Sequence, residues 1–206
     1  MSREGKPVIG SHLADRMNVA VATTFATVQR MQKADLVHMN EHKEILLTSS
    51  GKETAEAVVR RHALAERLLV DVLRLPWHEA HEEADRFEHV ISPRVEQRLM
   101  ELLHSPTTCP HGNPIPGQGD GLAADSVRLS TVPQGEHVTV VRVSEDAENE
   151  ADLLEYLQRH GLMPGGELTV TGVQPWNGLL LLEHGGEQVT LGMAAAQKIW
   201  VRRTGV

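Results

Sequence analysis

Residues 11–39, SHLADRMNVAVATTFATVQRMQKADLVHM, read as helix, tight turn, helix, strand. Ser11 suits the N-cap of a short helix that carries Leu13, Ala14 and Met17. A second helix over Val21–Lys33 turns Phe25, Val28 and Met31 inward and leaves Thr23, Thr27 and Arg30 facing out. The short gap between two short helices is the mark of a helix-turn-helix. The stretch that follows, LVHMNEHKEILLT, sets two apolar pieces around a polar NEHK and predicts a β-hairpin. Two helices and a hairpin together predict a winged helix-turn-helix over residues 1–50.

Beyond it, SSGKETAEAVVRRHALAERLLVDVLRLP opens a long helix capped at Ser49 or Ser50, with Glu53 in its first turn. Its inner stripe runs Val58, Val59, His62, Glu66, Leu69, Val70 and Leu73, so a histidine and a glutamate sit one turn apart among apolar neighbours. Pro76 ends this helix and WHEAHEEADRFEHVI forms the next. SPRVEQRLMELLH forms a third, with Ser92 as cap and Pro93 at the first helical position. These helices make a helical domain over 51–117. The Pro- and Gly-rich loop that closes it runs into a linker at 118–125. From 126 to 206 the pattern changes to five short strands, HVTVVRVS, ELTVTGV, GLLLLEH, EQVTLG and IWVRR, with one helix, DLLEYLQRHG, between the first two. Short strands and Gly-rich turns predict a small β-barrel, so the chain is mainly α with a barrel at its C-terminal end.

Composition narrows the function classes. The 206 residues carry a formal net charge of −8, which argues against a general polyanion binder. The charge is uneven: residues 1–60 hold 8 Lys and Arg against 7 Asp and Glu, whereas residues 121–206 hold 6 against 11. Any meeting with nucleic acid therefore falls to the first sixty residues. No apolar run approaches the length of a membrane span, and MSREGKPVIGSH has no signal-peptide core, so a cytoplasmic location is expected. The single cysteine, Cys109, rules out an intrachain disulfide.

Six of the twelve histidines fall between His62 and His111. In HEEADRFEHV (81–90), at about 100° per residue, Asp85 falls near 40° from His81, Glu88 near 340° and His89 near 80°. Four metal-capable side chains thus share one face, while Glu82 and Arg86 point away. A solvated acidic face is the plain alternative. Three places can supply ligands: His62 with Glu66, then His81, Asp85, Glu88 and His89, and finally Cys109 with His111. Carboxylates and imidazoles with little thiolate suit Mn²⁺ or Fe²⁺ better than structural zinc.

RRHALAERLLVD, HEEADRFEHVIS and CPHGNPIPG, in this order behind a winged helix, resemble the diphtheria toxin repressor family of metal-dependent transcription regulators. The likeness spans essentially the whole chain. It implies a winged helix, a helical dimerisation and metal domain, and an SH3-like barrel similar to the FeoA fold. It implies a primary metal site at Asp85, Glu88 and His89. A second site would use His62, Glu66 and His81 or, in members carrying CPHG, Glu66 with Cys109 and His111. An acidic residue of the barrel completes that site, with Glu150 and Asp152 as the matching positions. Iron-type members carry a cysteine at the position of Asp85, so a carboxylate there tilts the expected cofactor to Mn²⁺, with Fe²⁺ as the alternative. Ala22, Thr23, Ala26 and Thr27 match positions that face bases and phosphates, and Arg30 and Lys43 are candidate phosphate contacts. Family members also carry an extra N-terminal helix that donates a primary ligand. Here the chain opens directly before the helix-turn-helix, which implies a displaced start or a primary site short of one ligand.

The resulting expectation is a homodimeric, manganese-dependent repressor of metal-homeostasis genes, not an enzyme. It would bind a pseudo-palindromic double-stranded operator with half-sites about 10 bp apart or a multiple of that. A metalloenzyme, or a constitutive DNA-binding protein whose metals only stabilise the fold, are the competing classes.

Overall fold

The structure is a computed structural model and describes residues 7–119 and 125–204. Residues 1–6, on which the reading of the chain's start rests, and most of the linker lie outside the described residues. The chain divides into two compact units, residues 1–58 and 59–206.

In the first unit, α1 (Gly10–Met17) and α2 (Val21–Lys33) are followed by β1 (Val37–Met39) and β2 (Ile45–Leu47), paired antiparallel with His38 opposite Leu46. Asn18 ends α1 in the left-handed region at φ 50°, a conformation that asparagine tolerates, and the chain re-enters a helix three residues later. The expected Ser11 cap is not made: the helix starts two residues earlier, with Ile9 at the cap position and no side-chain cap. Val28, Val37 and Ile45 form the small core. Phe25 departs from expectation. Thr24, 3% exposed, takes the inward place, and Phe25 stands 54% exposed on the flank of α2. The inward line therefore runs through 24, 28 and 31, which places position 25 about 100° away from it. At the hairpin tip, the Asn40 side-chain oxygen accepts from His42 N at 3.0 Å and Glu44 N at 2.9 Å, and Lys43 turns at φ 59°.

The long helix α3 (Ser49–Arg67) is capped by Thr48, one residue before the expected serines: Thr48 Oγ1 accepts from Gly51 N at 2.9 Å. Gly51 is required there, because a Cβ would lie 1.8 Å from the Leu36 carbonyl oxygen.

In the second unit, α3 loosens into a π-helical turn at Leu68–Val72, which leaves Leu73 exposed rather than in the predicted stripe. A 3₁₀ turn at Trp77–Glu79 leads into α4 (Ala80–Phe87), a second 3₁₀ turn at Glu88–Val90 follows, and then comes α5 (Pro93–Leu102). Ser92 caps α5 as expected, accepting from Val95 N. Leu64, Ala65, Ala80, Ala84, Ile91 and Leu99 share one core with Cys109 and Ile115. The small alanines let backbones approach closely here.

The C-terminal part is one antiparallel sheet in the order β3-β8-β4-β5-β6-β7. Its strands are β3 (Val127–Arg128), β4 (His137–Val143), β5 (Glu167–Gln174), β6 (Leu179–His184), β7 (Glu187–Gly192) and β8 (Ile199–Arg203). The expected closed barrel is not formed. Among the described residues β7 and β3 remain the two edges, and β3, with two residues, is too short to close a ladder. Bulges at Val140/Arg142 and Val170/Gly172 bend the sheet around a core that includes Leu154, Leu157, Leu180, Leu182 and Ile199. The helices α6 (Glu145–Glu148), α7 (Ala151–Arg159) and α8 (Met193–Ala196) fill its connections. The αL residue Gly161 follows α7, as its sequence predicts. No helix of the described residues is long and apolar enough to cross a membrane.

Candidate metal centre

All the candidate ligands belong to the second unit. The i, i+4 spacing on α3 stacks His62 and Glu66 on one face, and α4 presents His81 toward them. Glu66, 1% exposed, is the node: its Oε1 lies 3.1 Å from His62 Nε2, 3.1 Å from His81 Nδ1 and 3.4 Å from His111 Nδ1. His62 also meets the far end of α4, with Nδ1 2.9 Å from Glu88 Oε2 and 3.3 Å from Asp85 Oδ1. One nitrogen of His62 thus faces the Asp85–Glu88 carboxylates, and the other faces Glu66 and His81, whose Nδ1 is 3.0 Å away.

Cys109 and His111 are buried, with Sγ 4.0 Å from His111 Nδ1. The loop that carries them is fixed from several sides. Arg67 donates to the Thr108 and Cys109 carbonyls at 2.8 and 3.2 Å, and Trp77 Nε1 donates to the Pro110 carbonyl at 3.0 Å. The Trp77 ring lies 4.5 Å from the His111 ring.

The C-terminal part brings in a carboxylate that is neither Glu150 nor Asp152. Glu148, on α6, brings Oε2 to 3.5 Å from His81 Nδ1 and Oε1 to 3.7 Å from His111 Nδ1. Asn113 holds it by donating to Glu148 Oε1 and, at 3.0 Å, to the Val143 carbonyl. Glu150 instead pairs with Lys198, and Asp152 is exposed in the first turn of α7. The reason is the short helix α6, which buries Ala147 and Glu148 and turns the next residues outward. Ser144 ahead of three acidic residues is a helix-start signal that marks this turn in the sequence. His89 also departs from its expected face. The chain tightens to 3₁₀ geometry at Glu88, which advances each residue by about 120° instead of 100°. The His89 side chain is left 74% exposed, with its Nδ1 3.6 Å from Glu88 Oε1.

Three sets of donor atoms fall within 4.8 Å of one another: His62, His81 and Asp85; Glu66, Cys109 and His111; and Glu66, His81 and Glu148. Protonation within the polypeptide reflects this crowding. Burial disfavours the His62 cation, but the hydrogen bond and charge of Glu66, with the charges of Glu88 and Asp85, override it and raise the pKa to about 9. His81 is raised in the same way by Glu66 and Glu148 against the pull of burial. Burial pushes Glu66 up, and its bonds to His111, His62 and His81 more than reverse that, holding it well below the usual range. Glu148 is raised to about 7 by burial and by the Glu66 charge. Burial and the same two carboxylates push the Cys109 thiol well up. The cluster thus resists a further negative charge from its own side chains, and a divalent cation is the partner that would relieve Cys109 and Glu148 together. The donor set of imidazole, carboxylate and thiol fits such an ion.

In the first unit Ala22, Thr23, Ala26 and Arg30 are exposed on α2, and Lys43 is exposed at the hairpin tip. Thr27 is half-buried and accepts a hydrogen bond from Arg30 Nη2 at 3.1 Å.

Comparison with known proteins gives this arrangement its context. Residues 48–117 match the iron dependent repressor, metal binding and dimerisation domain, and residues 127–203 match the FeoA domain. The iron-dependent repressor IdeR of Mycobacterium leprae is 38% identical across 98% of this chain and 92% of its own length. The diphtheria toxin repressor of Corynebacterium efficiens is 36% identical across 93% of this chain and 85% of its own. A manganese-dependent transcriptional repressor in complex with manganese has a TM-score of 0.83 at 33% identity, covering 96% of this chain and 91% of that one. With both helical and sheet segments matched and the likeness running nearly end to end, the chain belongs to the diphtheria toxin repressor family of metal-dependent transcriptional repressors.

Proposed function

We propose that this chain is a homodimeric cytoplasmic repressor that binds a pseudo-palindromic operator when loaded with Mn²⁺. The family regulates transcription and is not enzymatic, which sets the metalloenzyme alternative aside. The observation that carries the reading is the convergence of three histidines on one oxygen of Glu66. His62, His81, Asp85 and Glu88 would hold one cation, with His89 at the rim. Glu66, Cys109, His111 and Glu148 would hold a second. The ion's charge would let buried carboxylates and the thiol ionise side by side, tying α3, α4, the 109–113 loop and α6 together. On DNA, α2 would enter the major groove with Ala22, Thr23, Ala26 and Thr27 toward the bases, and Arg30 and Lys43 would meet phosphates.

A fluorescence-anisotropy titration at fixed ionic strength tests this. Mn²⁺ is expected to tighten operator binding about 5- to 150-fold, the usual range of allosteric coupling. Identical binding with Mn²⁺ and with chelator would refute it. Iron is the second reading, favoured by the thiol of Cys109 and by the 38% identical relative named an iron-dependent repressor. Asp85→Cys separates the two. Replacing a hard oxygen by a soft sulfur is expected to weaken Mn²⁺ binding roughly ten-fold while sparing Zn²⁺. An unchanged order of metals would overturn the assignment to manganese.

The dimer has a candidate face. Phe87 at the end of α4 and Val90 in the 3₁₀ turn after it, with Val95 and Leu102 on α5, are exposed large apolar side chains within the segment matched to the dimerisation domain. Val90→Glu would place a charge in that face and is expected to loosen the dimer about ten-fold or more in sedimentation equilibrium. A dimer as tight as wild type would place the interface elsewhere.

A further inference from the structure

The exposed flank of α2 carries apolar groups that the core does not use. Phe25 is 54% exposed, Val21 at the start of the helix 59%, and Met17 at the end of α1 56%. Single exposed apolar side chains are ordinary on a protein surface. These three, however, gather at the turn and the N-terminal half of α2, while exposed Gln29, Arg30 and Lys33 occupy the other half. In a helix-turn-helix the N-terminal residues of the second helix meet base edges. The major groove offers one apolar group there, the C5 methyl of thymine, and one edge that pairs with a side-chain amide in two hydrogen bonds, adenine N6 and N7.

We infer that Phe25 and Gln29 are specificity-determining residues that read neighbouring A·T pairs, Phe25 against a thymine methyl and Gln29 against an adenine edge. The inference rests on the reading of α2 as the helix that enters the groove. Phe25 lies about 100° from the inward line through Thr24, and Gln29 follows one turn later on the same outer flank. Four residues of helix rise about 6 Å, less than two base-pair steps of ~3.4 Å, so both side chains reach one short stretch of sequence. Ala22 and Ala26, beside them and exposed, are too small to block the approach. None of these residues offers the long donor that would select guanine. Arg30 and Lys33, farther along the helix, are placed for phosphates.

The test starts from a duplex selected out of a random pool by the full-length, Mn²⁺-loaded protein. Each thymine is then replaced in turn by deoxyuridine, which removes the methyl and keeps the pairing. Wild type is expected to lose about four-fold in affinity at one thymine of each half-site, the worth of one buried methyl group. Phe25→Ala is expected to bind the thymine and uracil duplexes equally, and Phe25→Leu to keep part of the difference. Gln29→Ala is expected to lose its preference for adenine over 7-deaza-adenine at an adjacent position. If Phe25→Ala keeps the full uracil penalty, or loses affinity evenly across all duplexes, the inference fails while the repressor reading stands. A lowered melting temperature or altered dimer in Phe25→Ala would show that protein covers this side chain, and would also overturn it. If no sequence is enriched with metal present, the repressor reading itself fails.

Discussion

Glu66→Gln is expected to abolish the thermal response to manganese. In wild type, Mn²⁺ at about 100 times its dissociation constant stabilises the fold by ~2.7 kcal/mol. At about 2–4 °C per kcal/mol for a chain of this size, the melting temperature rises by roughly 5–11 °C. Glu66 is singled out because it is a donor in two of the three sets and meets the histidines of the other: His62 and His81 stand 3.1 Å from its Oε1, and His111 stands at 3.4 Å. Glutamine preserves volume and hydrogen bonding, so the packing of the buried position is kept while the charge and ligand strength go. Metal affinity is expected to fall at least about 100-fold, or ~2.7 kcal/mol, with the metal-dependent gain in DNA binding lost alongside. His89→Ala, at an exposed ring on the rim of the cluster, is the comparison and should lose less of the response than Glu66→Gln. A full rise in melting temperature for Glu66→Gln would remove Glu66 from the ligand set and with it the link between the two sites.

Much of the fold is legible because it is written in local signals. Val21–Lys33, the hairpin after it and the Ser92–Pro93 start of α5 follow from periodicity and capping chemistry, and each lies where its residues place it. What periodicity could not decide was the phase of α2. Thr24 and Phe25 are neighbours, and hydrophobicity alone puts the phenylalanine inside. The packed geometry puts the threonine there and leaves the aromatic ring for another surface. Sheet closure was equally beyond reach, since it depends on two-residue β3 and on bulges at Val140/Arg142 and Val170/Gly172 that no strand pattern announces.

The candidate site divides along the same line. His62, Glu66, His81 and Asp85 are legible as candidates because an ideal helix carries side chains to predictable faces. Glu88 and His89 lie where the helix ceases to be ideal, at the 3₁₀ turn Glu88–Val90: Glu88 still reaches His62, whereas His89 turns out to solvent. Glu148 is not legible as a candidate because four residues of helix are too few for a periodic signal, and its direction is set from outside by Asn113, thirty-five residues away. Helix periodicity reaches the candidate ligands carried on α3 and α4. Those on loops are placed by partners distant in sequence.

Gly112→Ala is expected to break the second donor set while sparing the first. Gly112 sits at φ 85° with its missing side chain against β4: a Cβ would lie 2.2 Å from the Val141 carbonyl oxygen and 2.8 Å from Arg142 Cα. Both contacts are backbone, at the bulge where β4 shifts register against β8, so neither can swing aside as a side chain would. The same loop is held down by Val143 N donating to the His111 carbonyl at 2.8 Å and by Asn113 reaching the Val143 carbonyl. An alanine would lift the loop off the strand, carrying Cys109 and His111 away from Glu66. Strain at positive φ and overpacking together are expected to cost about 3 kcal/mol in urea unfolding. Cobalt reports the site itself, since a bound thiolate gives a sulfur-to-metal absorption band. Wild type is expected to show that band on Co²⁺ titration, and Gly112→Ala to lose it while still binding cobalt through His62, His81, Asp85 and Glu88. Cys109→Ser, which leaves the backbone of the loop untouched, should lose the band with little loss of stability. A Gly112→Ala protein as stable as wild type with its band intact would mean that the loop does not need β4 to hold its ligands, and that Cys109 and His111 are fixed by Arg67 and Trp77 alone.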